Sequence, residues 1–240
     1  MTVFLTSSPC VNGADRAILN PVNDFVERLR KAIPTQARCL FVCSDPNSYD
    51  LTDRFGGDME EAFREAGLDF SDFAVLDGRN AREAAELIAW SDVIILAGGH
   101  VPTQNAFFRE ISLAELLRDY PGVIIGISAG SMNSAETVYA HPEEEGEAVD
   151  PDYQRFLPGL GLTFLNILPH FQQWKDDTLD GQRLLEDIAF ADSYGHSFLI
   201  LVDGSYVWIQ DGRTEILGEA YCLEDGNMEQ IGQEGNCLVL

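Results

Sequence analysis

The stretch GISAGS, residues 126–131, places Ser128 between two glycines directly after the apolar run GVII. A serine in a G-x-S-x-G turn can be held on a sharp strand-to-helix elbow, where its hydroxyl is exposed at the end of a sheet. The same glycines also suit an ordinary tight turn, so the pattern alone does not separate a nucleophile from a loop residue. If Ser128 is a nucleophile, the chain must also supply a base and an oxyanion site.

The base would most naturally be a histidine, because imidazole can take the proton of a serine hydroxyl near neutral pH. The chain has four: His100, His141, His170 and His196. His170 follows the apolar segment NILP, so we expect it at the end of a strand. Open α/β sheets gather ligand-binding groups at such strand ends, and we therefore assign the base to His170.

The other parts of an acyl-transfer site are only partly placed by the sequence. The N–H of Ala129, directly after the serine, is one candidate oxyanion donor. A second would come from AGGH, residues 97–100, at the end of another predicted strand. A third side chain should orient the histidine. Spacing alone does not choose among the carboxylates between Ser128 and His170, which are Glu136, Glu143, Glu144, Glu145, Glu147, Asp150 and Asp152.

The elements that must position these residues alternate through the first half of the chain. Strands are predicted at TVFLT, RCLFVCS, DFAVLD, DVIILAGG and GVIIGIS, with helical segments between them. This alternation predicts an α/β fold with a mostly parallel sheet flanked by helices. A further helix is predicted at LDGQRLLEDIAFA, residues 179–191, and the closely spaced strands that follow should extend the same sheet in antiparallel fashion. With no repeat and no linker, residues 1–240 are predicted to form a single domain.

Charge and composition exclude several classes of function. The chain has 15 Lys and Arg against 40 Asp and Glu, a net charge of −25, which repels phosphate backbones and anionic membranes. We therefore expect neither a nucleic-acid nor a membrane partner. Nucleotide-binding glycine motifs and HExxH are absent, and the acidic loop HPEEEGEAVDPD lacks EF-hand spacing, so we expect no cofactor and no metal. The start of the sequence does not resemble a signal peptide, which predicts a cytoplasmic protein.

Taken together, AGGHVPTQN, GISAGS and GLGLTFLNILPHF resemble the peptidase E and cyanophycinase family of serine peptidases. The resemblance covers most of residues 90–171, whereas the last stretch of the chain matches only in general character. It implies a flavodoxin-like three-layer sandwich related to class I glutamine amidotransferases, with a Ser-His-acid triad and no cofactor. It also implies that Gly99 and Ala129 are the oxyanion donors. Counted without gaps from Ser128, the acid of the resemblance falls on Glu143, with Glu144 and Glu147 as substitutes.

The substrate stays open, because the family's substrates range from small Asp-containing dipeptides to a branched Asp–Arg polymer. The loop AGGHVPTQN brings His100 and Gln104 forward as substrate-binding candidates. No Lys or Arg occurs from Asp119 to Gln154, which favours a cationic substrate group. The resemblance favours an acidic one, whose carboxylate would be bound by Lys175 or Arg183.

The sequence therefore predicts a serine peptidase that hydrolyses a small peptide or isopeptide amide, in the manner of a dipeptidase, with an Asp-directed preference as one option. Two alternatives are an esterase or amidase of another α/β class and a non-catalytic ligand-binding member of the fold. The expected partner is a small peptide substrate, and self-association into a homodimer is left open.

Overall fold

The computed structural model describes residues 1–240 and contains sixteen strands and eight α-helices. The strands are β1 (Thr2–Thr6), β2 (Arg38–Val42), β3 (Asp72–Leu76), β4 (Val93–Leu96), β5 (Val123–Ile127), β6 (Thr137–Tyr139), β7 (Phe156–Pro158), β8 (Asn166–Leu168), β9 (Thr178–Leu179), β10 (Gln182–Arg183), β11 (Ser197–Leu201), β12 (Tyr206–Gln210), β13 (Arg213–Leu217), β14 (Ala220–Glu224), β15 (Asn227–Gly232) and β16 (Cys237–Val239). The α-helices are α1 (Phe25–Ala32), α2 (Tyr49–Glu65), α3 (Ala84–Trp90), α4 (Val101–Glu110), α5 (Leu113–Leu117), α6 (Ala129–Met132), α7 (Phe171–Trp174) and α8 (Phe190–Asp192). None of them combines the length and the apolar character needed to cross a bilayer.

The main sheet has eight strands in the order β16-β13-β12-β1-β5-β4-β2-β3. The five strands β1, β5, β4, β2 and β3 run parallel, as the alternation of apolar strands and helices predicts. β12 then pairs with β1 in antiparallel fashion, and β13 and β16 continue that edge. The mixed α/β class with a mostly parallel sheet is therefore confirmed.

Helices cover both faces of the main sheet because successive side chains of each strand point to opposite faces. In β1, Phe4 belongs to the apolar cluster that holds Phe25 of α1, and their ring centroids lie 6.0 Å apart. Its neighbour Leu5 belongs to the cluster on the other face, which contains Phe107 of α4. The result is three layers, with the carboxyl ends of the parallel strands left open for ligand-binding groups.

The C-terminal strands do not all extend the main sheet. β12, β13 and β16 do so, but β11, β14 and β15 form a second, four-stranded sheet with β8, in the order β15-β14-β11-β8. β8 and β11 run parallel, and the other pairs of this sheet are antiparallel. The sequence shows where each strand ends through its turn residues, but it does not show which neighbour the strand will pair with. The prediction of one extended sheet was therefore only partly right.

The helix predicted over residues 179–191 is also different in the structure. β9 and β10 form a tight hairpin whose two turn residues, Asp180 and Gly181, have φ angles of 53° and 80°. An Asp-Gly pair with both φ angles positive is the sequence preferred in two-residue hairpin turns. The helical part begins only afterwards, as a π-helix over Leu184–Ala189 that continues into α8.

Candidate active site

Ser128 lies on the sharp turn between β5 and α6. Its backbone angles are φ 51° and ψ −112°, a region that residues with a side chain rarely adopt and that stores strain. The turn is held by a hydrogen bond from the Ser128 N–H to the carbonyl oxygen of Thr6, at 3.1 Å, and by the N–H groups of Ser131 and Met132, which donate to the Ser128 carbonyl oxygen. This is the backbone geometry of a nucleophile elbow.

The two glycines around Ser128 are required by close packing. A Cβ atom at Gly130 would lie 2.3 Å from the carbonyl oxygen of Leu96, and one at Gly126 would lie 2.9 Å from the Cα atom of Ser131. No flexible side chain could relieve either clash, because both obstacles are backbone atoms. Glycine at these positions therefore lets α6 turn back onto β4 and β5 directly after the serine.

The two predicted oxyanion donors lie beside the serine. Gly99 has φ 154°, and a Cβ atom there would lie 2.4 Å from Oγ of Ser44, so the loop after β4 requires glycine at this position. The Gly99 N–H donates no hydrogen bond within the chain. Ala129 is the first residue of α6, where an N–H has no partner inside the helix. Gly99 and Ser128 line the same two cavities, so the loop lies where a reacting carbonyl would need donors.

His170 follows β8 and is oriented by a carboxylate that the sequence analysis did not select. Its Nδ1 atom lies 2.6 Å from Oδ1 of Asp203, which follows β11. The Asp203 side chain is only 3% exposed, against 28% for His170. Ser7 Oγ also donates to Oδ1, at 2.6 Å, while Asn12 and Gln173 donate to Oδ2 at 3.0 and 2.9 Å. With Nδ1 engaged in this way, Nε2 is the ring atom left to accept a proton.

The surroundings of Asp203 favour its ionised form. Burial acts to raise the pKa of its carboxyl, but the hydrogen bond and the charge of His170 outweigh that effect, with smaller contributions from Ser7 and Asn12. The pKa of Asp203 is consequently lowered to about 2. Ser7 also ties the two residues together, because its Oγ accepts the His170 N–H at 2.8 Å.

The carboxylates that the resemblance implies as the triad acid, Glu143, Glu144 and Glu147, do not contact His170 through a hydrogen bond. Glu147 Oε1 lies 2.8 Å from Nε2 of His100, and Glu147 Oε2 accepts the N–H groups of Glu143 and Glu144, each at 2.9 Å. Glu143 lines a cavity with Ser128 and His170, but its carboxylate makes no hydrogen bond to His170. The structure thus favours Asp203 over Glu143, Glu144 and Glu147 as the partner of His170. Counting without gaps from Ser128 could not find Asp203, because that count places the acid between the serine and the histidine, whereas Asp203 follows the histidine in the chain.

Glu143 nevertheless has an unusual environment. It is exposed at the mouth of the cavity, yet the surrounding protein desolvates its carboxyl, and nearby Glu147 adds repulsion. Together these effects raise the pKa of Glu143 to about 7, although His100 and His170 act in the opposite direction. A carboxyl that titrates near neutral pH beside a nucleophile is a candidate for contact with substrate.

The two candidates from AGGHVPTQN, His100 before α4 and Gln104 within it, have supporting contacts instead. Nδ1 of His100 lies 2.8 Å from Oγ1 of Thr103, so with Glu147 on Nε2 both ring nitrogens are engaged. Gln104 is fully buried, donates to the carbonyl oxygen of Ala97 at 2.7 Å and accepts from Asn133 at 3.0 Å. Neither residue lines the cavities at Ser128. The structure therefore gives His100 the role of holding the acidic loop, and Gln104 that of holding the glycine loop.

His100, Glu144 and Glu147 are also the one group spaced to hold a cation, with ligand atoms within 4.8 Å of one another. The hydrogen bond between His100 and Glu147 already accounts for the short distance between those two side chains.

The two cations expected to bind a substrate carboxylate are paired within the chain. Lys175 Nζ lies 2.5 Å from a carboxylate oxygen of Asp176. Arg183 forms a two-pronged pair with Asp187, through Nε at 2.9 Å and Nη2 at 2.6 Å. Neither Lys175 nor Arg183 lines a cavity at Ser128, so their predicted role in substrate binding has no support in the geometry.

Ser7 and Asp203 are the functional candidates that sequence reasoning missed. Each comes directly after the apolar part of a strand, Ser7 after TVFLT and Asp203 after FLILV. This is the same strand-end position that led to the choice of His170. Because Asp203 is followed by Gly204, the sequence there is equally typical of a turn between two strands, which conceals the carboxylate.

Comparison with known proteins identifies the family and the fold. No curated protein matches the sequence. Among solved structures, a protein from Listeria monocytogenes EGD-e described as a "Putative Peptidase E" superposes with a TM-score of 0.58 at 14% identity, over 96% of this chain and 98% of that one. That likeness shows the fold. The model of peptidase family S51 matches residues 3–217, which include Ser128, His170 and Asp203. The chain therefore belongs to peptidase family S51 and is a serine peptidase.

Proposed function

We propose that the chain hydrolyses an amide bond of a small peptide through a triad of Ser128, His170 and Asp203. The observation that carries this proposal is the 2.6 Å contact between Nδ1 of His170 and the buried Asp203, beside a serine held on a strained elbow. A buried carboxylate that fixes the histidine tautomer, together with a serine that lines the same cavity as the histidine, is the arrangement that activates a hydroxyl for acyl transfer.

The reaction would proceed in two halves. Ser128 Oγ attacks the amide carbonyl while Nε2 of His170 takes its proton, and the oxyanion accepts hydrogen bonds from the N–H groups of Gly99 and Ala129. The C–N bond then breaks as His170 returns the proton to the leaving amine, which leaves an acyl ester on Ser128. Water deprotonated by His170 attacks that ester, and the carboxylic acid product leaves with the serine restored. Asp203 stays ionised throughout and stabilises the imidazolium that forms in each half.

A fluorophosphonate probe tests the nucleophile directly. We expect it to label Ser128, with the label located by mass spectrometry, and we expect Ser128→Ala to abolish both labelling and peptide hydrolysis, with turnover falling about 10⁴–10⁶-fold. Ser197→Ala, which removes an exposed serine at the start of β11, serves as the matched control and should keep full activity. Labelling at another residue, or more than a tenth of wild-type turnover in Ser128→Ala, would contradict the proposal.

The same preparation separates amide from ester chemistry. A panel of short peptides and a panel of simple aryl esters should be compared by kcat/KM. Preference for peptides supports the peptidase, whereas activity on esters alone would favour the esterase alternative.

A further inference from the structure

Two cavities meet at the catalytic residues. One, which we call the acidic cavity, has a volume of about 400 Å³ and is lined by Glu143, Trp174 and Asp177. The other, the apolar cavity, has a volume of about 390 Å³ and lies against Phe55 and Met59 of α2. Both include Gly99, Ser128 and His170 in their walls. A substrate carbonyl bound at Ser128 would therefore extend one of its sides into each cavity.

The acidic cavity has the chemistry of a cation site. Two carboxylates, Glu143 and Asp177, lie in its wall with the indole of Trp174, and an aromatic ring beside carboxylates suits an ammonium or guanidinium group. His141, in the same wall, adds no opposing charge, because burial lowers its pKa to about 4 and it is neutral at physiological pH.

The apolar cavity has the opposite character. Six of its eleven lining residues are apolar, among them Phe41, Phe55, Met59 and Ile127, and Asp58 is its one carboxylate. Phe55 is 42% exposed, an unusual position for a large ring next to a nucleophile. Covering it with an apolar side chain of the substrate would remove that surface from water, and this is the main source of affinity in small-molecule pockets.

Neither cavity has a Lys or Arg in its wall. An acidic side chain bound there would meet Asp58, Glu143 or Asp177 and no cation, and burying an unpaired carboxylate is costly. The cation to consider is Arg54, whose guanidinium lies 5.5 Å from the centre of the Phe55 ring. It packs on that ring from outside the cavity wall.

We propose that this peptidase selects a substrate with an apolar side chain on one side of the scissile amide, bound against Phe55 and Met59, and a cationic group on the other, bound beside Glu143 and Asp177. The inference rests on the proposed function, because it assumes that the reacting carbonyl lies at Ser128. It excludes Asp or Glu as the preferred residue at either position.

The test is a peptide panel that varies the two features independently. Peptides combining Phe with Arg, in both orders and with free or acetylated amino termini, are compared by kcat/KM with versions in which Ala or Asp replaces each residue. We expect replacement of Phe by Ala to cost at least about tenfold, and loss of the positive charge to cost about fivefold. The acetylated arm shows whether that charge is the terminal ammonium or the guanidinium. Peptides with Asp at either position should have a lower kcat/KM than those with Ala at that position.

Variants assign each preference to its cavity. Phe55→Ala should remove most of the preference for Phe over Ala, and Asp177→Asn combined with Glu143→Gln should remove the preference for charge. The matched controls are Phe164→Ala and Asp176→Asn, which change a highly exposed ring and an exposed neighbouring carboxylate outside both cavity walls. Both controls should keep the wild-type order of substrates.

Binding to Ser128→Ala separates this inference from the proposed function. The same peptides are titrated into that variant by calorimetry, where no hydrolysis is needed. If they bind in the predicted order but wild type hydrolyses none of them, the proposed function fails, while the assignment of an apolar group to one cavity and a cationic group to the other is kept. If Asp-containing peptides bind or react better than their Ala versions, above all if Arg54→Gln removes that advantage, the inference is overturned. The inference would also be overturned if kcat/KM and affinity were equal for charged and uncharged peptides, or equal for Phe and Ala peptides.

Discussion

Asp203 Oδ1 lies 2.6 Å from Nδ1 of His170, and the two residues follow neighbouring parallel strands, β11 and β8, of the smaller sheet. Because parallel strands end at the same edge, the pairing of β8 with β11 brings the imidazole of His170 and the carboxylate of Asp203 together. The serine comes from the other sheet, at the end of β5. The site is thus assembled across the junction of two sheets.

The first prediction concerns the carboxylate that orients the histidine. Asp203→Asn should lower kcat about 10³–10⁴-fold with little change in fold, because the imidazole loses both its tautomer and its charge partner. Glu143→Gln, the change that the alignment alone would have singled out, should cost less than about tenfold in kcat on an uncharged peptide. Steady-state kinetics of both variants test this prediction. A larger loss of kcat in Glu143→Gln than in Asp203→Asn would show that Glu143 is the carboxylate that orients His170.

Ser7 should act as a positioning residue. Its buried hydroxyl donates to Asp203 and accepts the His170 N–H, so Ser7→Ala should reduce kcat about tenfold and leave KM nearly unchanged. Removing a buried hydrogen-bonding hydroxyl should also cost about 1–3 kcal/mol of stability. Ser193→Ala is the control, because Ser193 is equally buried and bonded but contacts Phe190 and Gly226. A kcat loss of the same size in both variants would show that Ser7 contributes only to stability.

Acid should destabilise the protein in part through Asp203. The pKa of its carboxyl is lowered from the ordinary 3.8 to about 2 in the folded state. The folded state therefore gains stability from this group above about pH 4, and loses it as the pH falls towards 2. The shift corresponds to about 2 kcal/mol. Urea unfolding at a series of pH values should show a shallower decline over this range in Asp203→Asn, and an unchanged decline would disprove the link.

Glu143 should make the selection of charge depend on pH. Its pKa near 7 means that its carboxyl gains a negative charge between about pH 6 and 8. The ratio of kcat/KM for an Arg peptide to that for its citrulline analogue should rise about threefold over that range. Any pH effect of His170 on catalysis is the same for both peptides and cancels in the ratio. Glu144, Glu147 and His100 are present in both wild type and Glu143→Gln, so comparing these two proteins isolates Glu143. The rise should disappear in Glu143→Gln, and its persistence there would assign it to another group.

The sequence predicts much of this molecule because its strongest patterns are local. The five parallel strands were found from apolar runs between helices, and Ser128 and His170 from their positions at strand ends. What it could not supply was the pairing of distant segments. The Asp-Gly pair at 203–204 is a good turn wherever it occurs, and nothing local shows that β11 lies beside β8. For the same reason, the sequence does not show that His100 contacts Glu147 and that Gln104 contacts Asn133, so it predicts substrate contacts for both.

Placing the carboxylate after β11 has a consequence for how this enzyme can change. Beyond the Ala129 N–H, which comes directly after the serine, the segment between Ser128 and His170 then carries no group that the proposed chemistry requires, although Glu143 within it lines the cavity at Ser128. Its acidic part is held by Glu147, which contacts His100, and by Asp180, which accepts the N–H groups of Gly146 and Ala148. Insertions or exchanges in this loop could alter what the enzyme accepts without disturbing how it cuts, which makes the loop the natural place for a lineage, or an engineer, to create new specificities.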